Sequence, residues 1–161
     1  MPQEKSPALA YLDLFFPIHY LAGIQVEDAM KCGVLSRQQT CILWTIRTQG
    51  ENGESMRRKE IERAMASWYE VTSSAISKSL RALTKPPLDY LTMVEDPDNG
   101  REKIVRLTPK GRDFLKEMIK NGEAVMAQFV EGLEDHEIQP GITFLARAAE
   151  IFQAMSSLPA K

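Results

Sequence analysis

A short predicted helix in the middle of the chain carries hydroxyl and basic side chains on one face. These side chains are Ser73, Ser74, Ser77, Lys78 and Arg81. On the opposite face Ile76, Leu80 and Leu83 recur at helical spacing, so we expect them to pack into the core. Serine hydroxyls suit phosphate oxygens, whereas arginine and lysine suit phosphates or the acceptor atoms of guanine. The pattern favours a helix that contacts the major groove of DNA, and a solvated helix face is the alternative.

A predicted β-hairpin follows this helix and adds two cations. Residues 91–94 and 104–107 are rich in strand-forming side chains. Asn99 and Gly100 tolerate the positive φ of a tight turn, so we place the turn there. Arg101 and Lys103 then lie at the hairpin tip, where they can enter the minor groove or hold the DNA backbone. The alternative is a charged hairpin that only keeps the protein soluble.

Arg57 and Arg58 open another predicted helix, over residues 57–68. Cations at a helix N-terminus oppose the helix dipole, which disfavours this placement in isolation. The misplacement hints at a phosphate partner. Both arginines are therefore candidate contacts to the DNA backbone, beside the alternative of a solvated cluster.

The N-terminal third of the chain supplies two helices. Apolar residues at helical spacing predict the first over residues 8–31, with a kink at Pro17 and an end at Gly33. Ser36 and Gln39 form a capping-box pattern, which predicts a second helix that ends near residue 49.

Further cap and packing signals place the other helices. The helix over 57–68 should turn Ile61, Met65 and Trp68 inward. Thr72 or Ser73 should cap the fourth helix, which carries the serine face described above. A hydroxyl and a proline at positions 108 and 109 start a long helix, and a last helix covers residues 142–155.

This order of elements predicts a mainly α fold with a small β-hairpin wing. The arrangement is a winged helix-turn-helix with additional helices at both ends. Those terminal helices are too apolar for a core of about 60 residues to cover, so a second copy of the chain is the expected partner.

Charge is unevenly distributed along the 161 residues. The net charge is −2, but residues 53–112 carry 12 Lys and Arg against 9 Asp and Glu, a local charge of +3. The remainder carries −5. A basic centre between acidic flanks fits a nucleic-acid-facing module. We find no apolar run close to the ~20 residues that span a bilayer and no signal-peptide core, so we expect a soluble cytoplasmic protein with no membrane partner.

Other classes of function have little support in the sequence. There is no nucleophile elbow, phosphate-binding glycine loop or paired-carboxylate pattern, so we expect no enzyme and no cofactor. His19 and His136 are too few for a zinc site, so no metal is expected. Cys32 and Cys41 are too few for a disulfide scaffold, but they leave cysteine-based redox sensing as an alternative.

Residues 35–115 resemble the MarR family, the multiple-antibiotic-resistance type of winged-helix regulator. The resemblance is carried by Leu35-Ser36, Lys59-Glu60-Ile61, the serine-rich helix, Asp96-Pro97-Asp98-Asn99-Gly100-Arg101 and Val105-Arg106-Leu107-Thr108-Pro109-Lys110-Gly111. The chain departs from the family where Asn99 replaces an aspartate that steadies the wing arginine, and Asp96 or Asp98 can supply that support instead. It also has Asp89 near a usual glycine and Met93 near a usual arginine.

The resemblance implies a homodimer in which each winged module contacts one half-site of a near-palindromic operator. It also implies a small aromatic or organic-acid effector where the dimer helices meet the module. Residues near that junction are Phe16, His19, Tyr20, Trp44 and Arg47, with core packing as the alternative role for each.

The resulting hypothesis is a ligand-responsive dimeric repressor. Residues 1–34 and 113–161 would form the dimerisation helices, and residues 35–112 the DNA-binding domain. The alternatives are a winged-helix module for protein interaction and a redox-sensing regulator.

Overall fold

The computed structural model describes residues 5–156, which are mainly helical with one small sheet. The helices are α1 Pro7–Ile18, α2 Ile24–Met30, α3 Arg37–Gln49, α4 Arg58–Trp68, α5 Ser73–Leu83, α6 Pro109–Val130 and α7 Asp135–Ser156. The strands are β1 Ser55–Arg57, β2 Leu91–Asp96 and β3 Asn99–Leu107. The predicted fold class is confirmed, although residues 1–4 and 157–161 of the two predicted outer segments lie outside the described residues.

The first predicted helix is divided into two. A π-helical turn, His19–Gly23, joins α1 to α2 shortly after Pro17. Proline has no N–H to donate, so it leaves one helical hydrogen bond unmade just before the widened turn. Cys32 and Gly33 both have positive φ, 52° and 66°, and they lie directly beyond the end of α2.

Three side-chain caps form as the sequence predicts. Ser36 accepts a hydrogen bond from the N–H of Gln39 at 3.3 Å, and the Gln39 side chain accepts one from the N–H of Ser36 at 2.8 Å. The hydroxyl of Thr72 caps α5, and that of Thr108 caps α6. Each hydroxyl satisfies an N–H that the first helical turn leaves without a carbonyl partner.

The sheet contains a strand that the sequence interpretation missed. Its antiparallel order is β1-β3-β2, and β1 pairs Met56 with Val105. The three residues of β1 are too short a run to show an alternating pattern, and the strand exists because β3 lies beside it. The following helix therefore starts at Arg58, one residue later than predicted.

The predicted position of the wing turn was wrong. Asp96 pairs with Asn99, so Pro97 and Asp98 make the turn and Asn99 already belongs to β3. Proline presets the φ that the first central position of a common β-turn needs. The Asp96 carboxylate accepts the N–H of Asp98 at 3.0 Å, which closes the turn locally.

The buried core lies within residues 35–118, which we call the winged module. It unites side chains from four helices, all three strands and the residues next to them: Leu35, Ile42, Leu43, Ile46, Met56, Ile61, Met65, Ile76, Leu80, Leu83, Tyr90, Leu91, Val105, Leu107, Phe114, Leu115 and Met118. Gly111 lets α6 pass against the carbonyl of Tyr90, where any Cβ would collide with the backbone. Trp68 was wrongly predicted to face inward: it is 44% exposed at the last residue of α4, where it borders a cavity shared with α7.

Helices α1 and α7, which we call the helical arms, contain no buried residue in the described part of the chain. They touch each other through Tyr11 on Phe144, with ring centroids 5.9 Å apart, and Phe15 on Phe152, at 6.1 Å. Below α1, α2 packs on α6, where Gly122 leaves room for Met30.

The helical stretch Pro7–Met30 is long and apolar enough to cross a membrane by length and composition, because an 18-residue window within it reaches a mean hydropathy of 1.3. The expectation that no segment is long and apolar enough to span a bilayer was therefore wrong. The sequence has no unbroken apolar run there. An 18-residue window of this helix is nevertheless apolar enough and contains few enough charged residues to meet the criterion for a membrane span. None of its residues is fully buried: most of its large apolar side chains are exposed, whereas Met30 packs against the core.

Candidate nucleic-acid interface

Helix α5 separates its two faces as the sequence predicts. Ile76, Leu80 and Leu83 are at most 1% exposed. Ser79 is also buried, and its hydroxyl donates to Gln38 Oε1 on α3 at 3.0 Å. The opposite face carries the five predicted contact residues, of which four are exposed and Ser77 is half-buried. The packing of α5 on α3 therefore leaves the serine and cation face at the surface.

Two of these serines are hydrogen-bonded to neighbours. Ser77 Oγ donates to the carbonyl of Ser73 at 2.7 Å and accepts from Arg58 Nη2 at 2.9 Å. Ser73 Oγ donates to Glu62 Oε1 at 3.3 Å. The same Glu62 oxygen receives Arg58 Nε at 3.0 Å, which links α4 to α5. The sequence interpretation missed Glu62, although its i, i+4 spacing from Arg58 is a signal for a helix ion pair.

The predicted wing residues occupy two different settings. Arg101 is exposed near the turn, and its guanidinium has no ionic partner among residues 5–156. Its backbone N–H points at the Asn99 side-chain oxygen, 3.4 Å away. Lys103 lies further along β3 than the predicted tip position and pairs with Glu95 at 2.9 Å. Near the tip of the wing, Arg101 is therefore a cation with no ionic partner among residues 5–156, whereas Lys103 is paired.

Arg57 is anchored at the base of the wing. Its Nε lies 2.7 Å from Asp96 Oδ2, and the Asp96 side chain is only 1% exposed. The hydrogen bond from Arg57, together with backbone N–H groups of the turn, lowers the pKa of Asp96 below its ordinary value. Glu102 extends the group, 4.0 Å from Arg57 and 2.7 Å from Lys59. Asp96 thus supports the wing through Arg57, and not through Arg101.

The two other departures from the family pattern, Asp89 and Met93, also have defined positions in the structure. Asp89 has φ of 50°, so it adopts the left-handed conformation for which glycine is usually chosen. Met93 is 37% exposed and faces the gap between α5 and the wing.

Cations from α4, α5 and the wing border one continuous surface. A shallow cavity of about 160 Å³ is lined by Arg58, Ser77, Leu80, Arg81 and Met93. A second, of about 210 Å³, is lined by Arg58, Lys59, Glu62, Arg101, Glu102 and Lys103. Because Arg58 belongs to both, the serine face of α5 and the wing are two parts of the same surface.

The five predicted effector residues do not come together. Trp44 and Arg47 line a cavity of about 510 Å³ between α2, α3 and α6, and the Arg47 guanidinium carbon is 4.6 Å from the centre of the Trp44 ring. The other lining residues are Val26, Met30, Ile119, Gly122, Glu123 and Met126. Phe16, His19 and Tyr20 form a separate aromatic group on α1 and the π-helical turn, with centroids 5.0–5.1 Å apart, and they do not line this cavity.

The cysteines lack the environment of reactive thiols. Burial raises the pKa of both Cys32 and Cys41, which reduces the thiolate fraction at neutral pH. Asn121 Nδ2 lies 3.3 Å from Cys32 Sγ. Within residues 5–156, no cluster of His, Cys, Asp or Glu side chains is arranged to hold a metal ion.

Comparison with known proteins matches the part of the chain that carries this surface. The family model described as a winged helix DNA-binding domain matches residues 35–111. This segment is therefore similar to winged helix DNA-binding domains. The match covers α3 to the start of α6, including β1, α5 and the wing. No curated protein is recognisably similar to the chain in sequence.

Solved structures extend the likeness to both helical arms. RV1404 from Mycobacterium tuberculosis is 16% identical with a TM-score of 0.70, over 93% of this chain and 97% of that one. BpsR from Bordetella bronchiseptica, whose DNA binding is regulated by 6-hydroxynicotinic acid, is 21% identical with a TM-score of 0.62, over 93% and 98%. A mutant MarR from E. coli, complexed with operator DNA, is 14% identical with a TM-score of 0.63, over 88% and 94%.

The chain therefore has the fold of the MarR-type regulators along almost its whole length. The resemblance inferred from the sequence is confirmed. The family model described as a winged helix DNA-binding domain matches almost the whole of the predicted DNA-binding segment.

Proposed function

We propose that the protein is a dimeric transcriptional repressor that binds a near-palindromic operator through α5 and the wing. The observation that carries the proposal is the shared surface, on which Arg58, Arg81 and Arg101 converge from three elements. Its contact residues are Ser73, Ser74, Ser77, Lys78, Arg81, Arg58, Arg101 and Lys103. Arg57 supports this surface indirectly, because its side chain is held by Asp96.

The helical arms support the dimer. Leu14, Ile18 and Leu21 are 57–68% exposed and recur at i, i+4 and i+7 along α1 and the π-helical turn that follows it. An apolar stripe of this kind is costly in water and suits burial against a second copy. Two copies would place two α5 helices on successive major grooves, roughly 34 Å apart. We assign residues 1–34 and 113–161 to this role, residues 35–112 to DNA binding, and the protein to the cytoplasm.

The cavity beside Trp44 supports a small aromatic acid as effector. It lies where α2 and α6 meet the winged module, and Arg47 supplies a cation for a carboxylate beside the Trp44 ring. BpsR is a precedent for regulation by an aromatic acid. Binding here would separate α2 from α3, change the spacing of the two α5 helices and so reduce affinity for the operator.

The test is binding of random-sequence duplex DNA at several salt concentrations. Wild-type affinity should fall steeply as salt rises. Arg101→Ala should weaken binding to every sequence and reduce the salt slope by about 1. Arg147→Ala removes the same charge from α7 and should change neither quantity. A wild-type protein without salt-dependent binding would instead be a winged-helix module for protein contact.

A further inference from the structure

The serines on the outer face of α5 differ in what they already bind. A serine hydroxyl has one proton to donate. That of Ser77 goes to the Ser73 carbonyl, and one of its lone pairs is taken by Arg58. The hydroxyl of Ser73 points at Glu62. Ser74, one residue along the chain, has no hydrogen-bond partner within residues 5–156.

The engaged serines are part of a polar link between helices, which we call the α4–α5 clasp. It consists of Arg58, Glu62, Ser73 and Ser77. The Glu62 side chain is 24% exposed and accepts from both helices, and Arg58 donates through two nitrogens to two different partners. Such a link fixes the rotation and tilt of α5 on α4, because turning α5 would break several of these bonds together.

The remaining outer side chains form a second group, which we call the free stripe. Ser74, Lys78 and Arg81 follow one another at i, i+4 and i+7, so they share one face of α5. All three are exposed, and none has a hydrogen-bond or ionic partner among the described residues. They can meet the edges of base pairs without first giving up a contact inside the protein.

We propose that the free stripe selects the DNA sequence and that the α4–α5 clasp positions α5 without selecting bases. This assignment rests on the proposed function, which is DNA binding through α5. Lysine and arginine pair with O6 and N7 of guanine, so the preferred half-site should contain guanine opposite Lys78 or Arg81. Arg58, Glu62, Ser73 and Ser77 are positioning residues, and their loss should weaken binding to all sequences alike.

The first test is selection of bound duplexes from a random pool with full-length variants. Lys78→Ala and Arg81→Ala should each lose about tenfold preference at one or two base positions and keep the preference elsewhere. Ser77→Ala should retain the wild-type sequence preference with affinity about three- to tenfold lower on every site. Ser77→Thr keeps the hydroxyl and should restore the affinity.

A second readout is independent of DNA. Amide hydrogen exchange in α5 should accelerate in Ser77→Ala and Glu62→Ala, because the clasp is broken, but not in Lys78→Ala or Ser74→Ala. Ser67→Ala, an exposed serine that bonds only a carbonyl of its own helix, is the control.

The outcomes separate the two claims. If wild-type protein selects duplexes but Ser77→Ala changes base preference as Lys78→Ala does, the assignment is overturned and the proposed function stands. Unchanged exchange in α5 of Ser77→Ala and Glu62→Ala would also overturn it. If wild-type protein binds no duplex DNA, the proposed function fails and the assignment fails with it.

Discussion

Ile76 on α5 and Ile18 on α1 are the same side chain in opposite surroundings. Ile76 is 1% exposed within the core of the winged module, whereas Ile18 is 57% exposed on a helical arm. The module satisfies its apolar residues by itself. The arms carry a comparable apolar surface but leave it uncovered, so their stability must depend on something outside the single chain. The difference teaches that the core of the module is complete within one chain, whereas the arms leave apolar side chains for the proposed dimer to cover.

Ile18→Glu is expected to have the largest effect, because it places a charge within the apolar stripe of the arm. In a symmetric dimer the change occurs twice, at roughly 3–5 kcal/mol for each buried unpaired charge. The protein should become monomeric in sedimentation or light scattering. Gln25→Glu adds the same charge at an exposed polar position of α2 and should leave the assembly intact. A dimer that survives Ile18→Glu would show that this stripe is not the interface.

Leu80→Ala tests the winged module, whose core lies within one chain. Leu80 is 1% exposed, and its truncation should reduce the free energy of unfolding by about 2–5 kcal/mol. Because the core lies within one chain, the loss should be the same at low and high protein concentration. Leu21→Ala removes the same atoms from the apolar stripe that continues from α1 into the π-helical turn, and its loss should grow with protein concentration, since it acts through association. Urea titrations at two protein concentrations measure both losses. If the loss in free energy of unfolding depends on protein concentration in the same way for the two variants, the distinction between the regions is removed.

The sequence predicts features set by near neighbours better than features set by distant segments, for a physical reason. Caps such as Ser36 with Gln39, and the buried face of α5, depend on neighbours a few residues away, and these were confirmed. β1 and the outward position of Trp68 depend on distant segments, β3 and α7, and were missed. The turn at Pro97 and Asp98 was missed because Asn99-Gly100 is the stronger local turn signal, while the Asp96 side chain decides the position.

The candidate site divides in the same way. The types and helical spacing of the residues on α5 were enough to nominate its outer face. The internal bonds of Ser73 and Ser77 were not predictable, because Glu62 and Arg58 reach them from another helix. Phe16, His19 and Tyr20 were grouped with Trp44 through the family's junction, but the structure places them outside the Trp44 cavity.

Asp96→Asn tests how the module holds its wing. The pKa of Asp96 is depressed from its ordinary value of 3.8, first by Arg57. A depressed carboxyl stabilises the fold above its unfolded pKa, and this stabilisation is lost as pH falls through the folded value. Wild-type Tm should therefore drop below about pH 4 partly through this group. Asp96→Asn should lower Tm by a few degrees at pH 7 and show a smaller decrease on acidification.

Asp98→Asn changes an exposed carboxylate within the same turn, and it is the matched control. Its Tm and acid dependence should follow the wild type. Equal Tm values for Asp96→Asn and wild type at pH 7 would mean that the Arg57 pair contributes nothing to the wing.

The smallest expected effect lies beside the core of the winged module, in the cavity of α2, α3 and α6. Arg47→Ala removes the cation beside Trp44 and should weaken binding of 6-hydroxynicotinic acid, used as a probe, by about tenfold. Arg47 is exposed and lies outside the core, so stability and DNA affinity without the probe should stay within error of the wild type. Calorimetric titration measures the first quantity and fluorescence anisotropy of labelled DNA the second. If the probe binds wild type and Arg47→Ala equally, or binds neither, this cavity is not a binding site for an aromatic-acid effector.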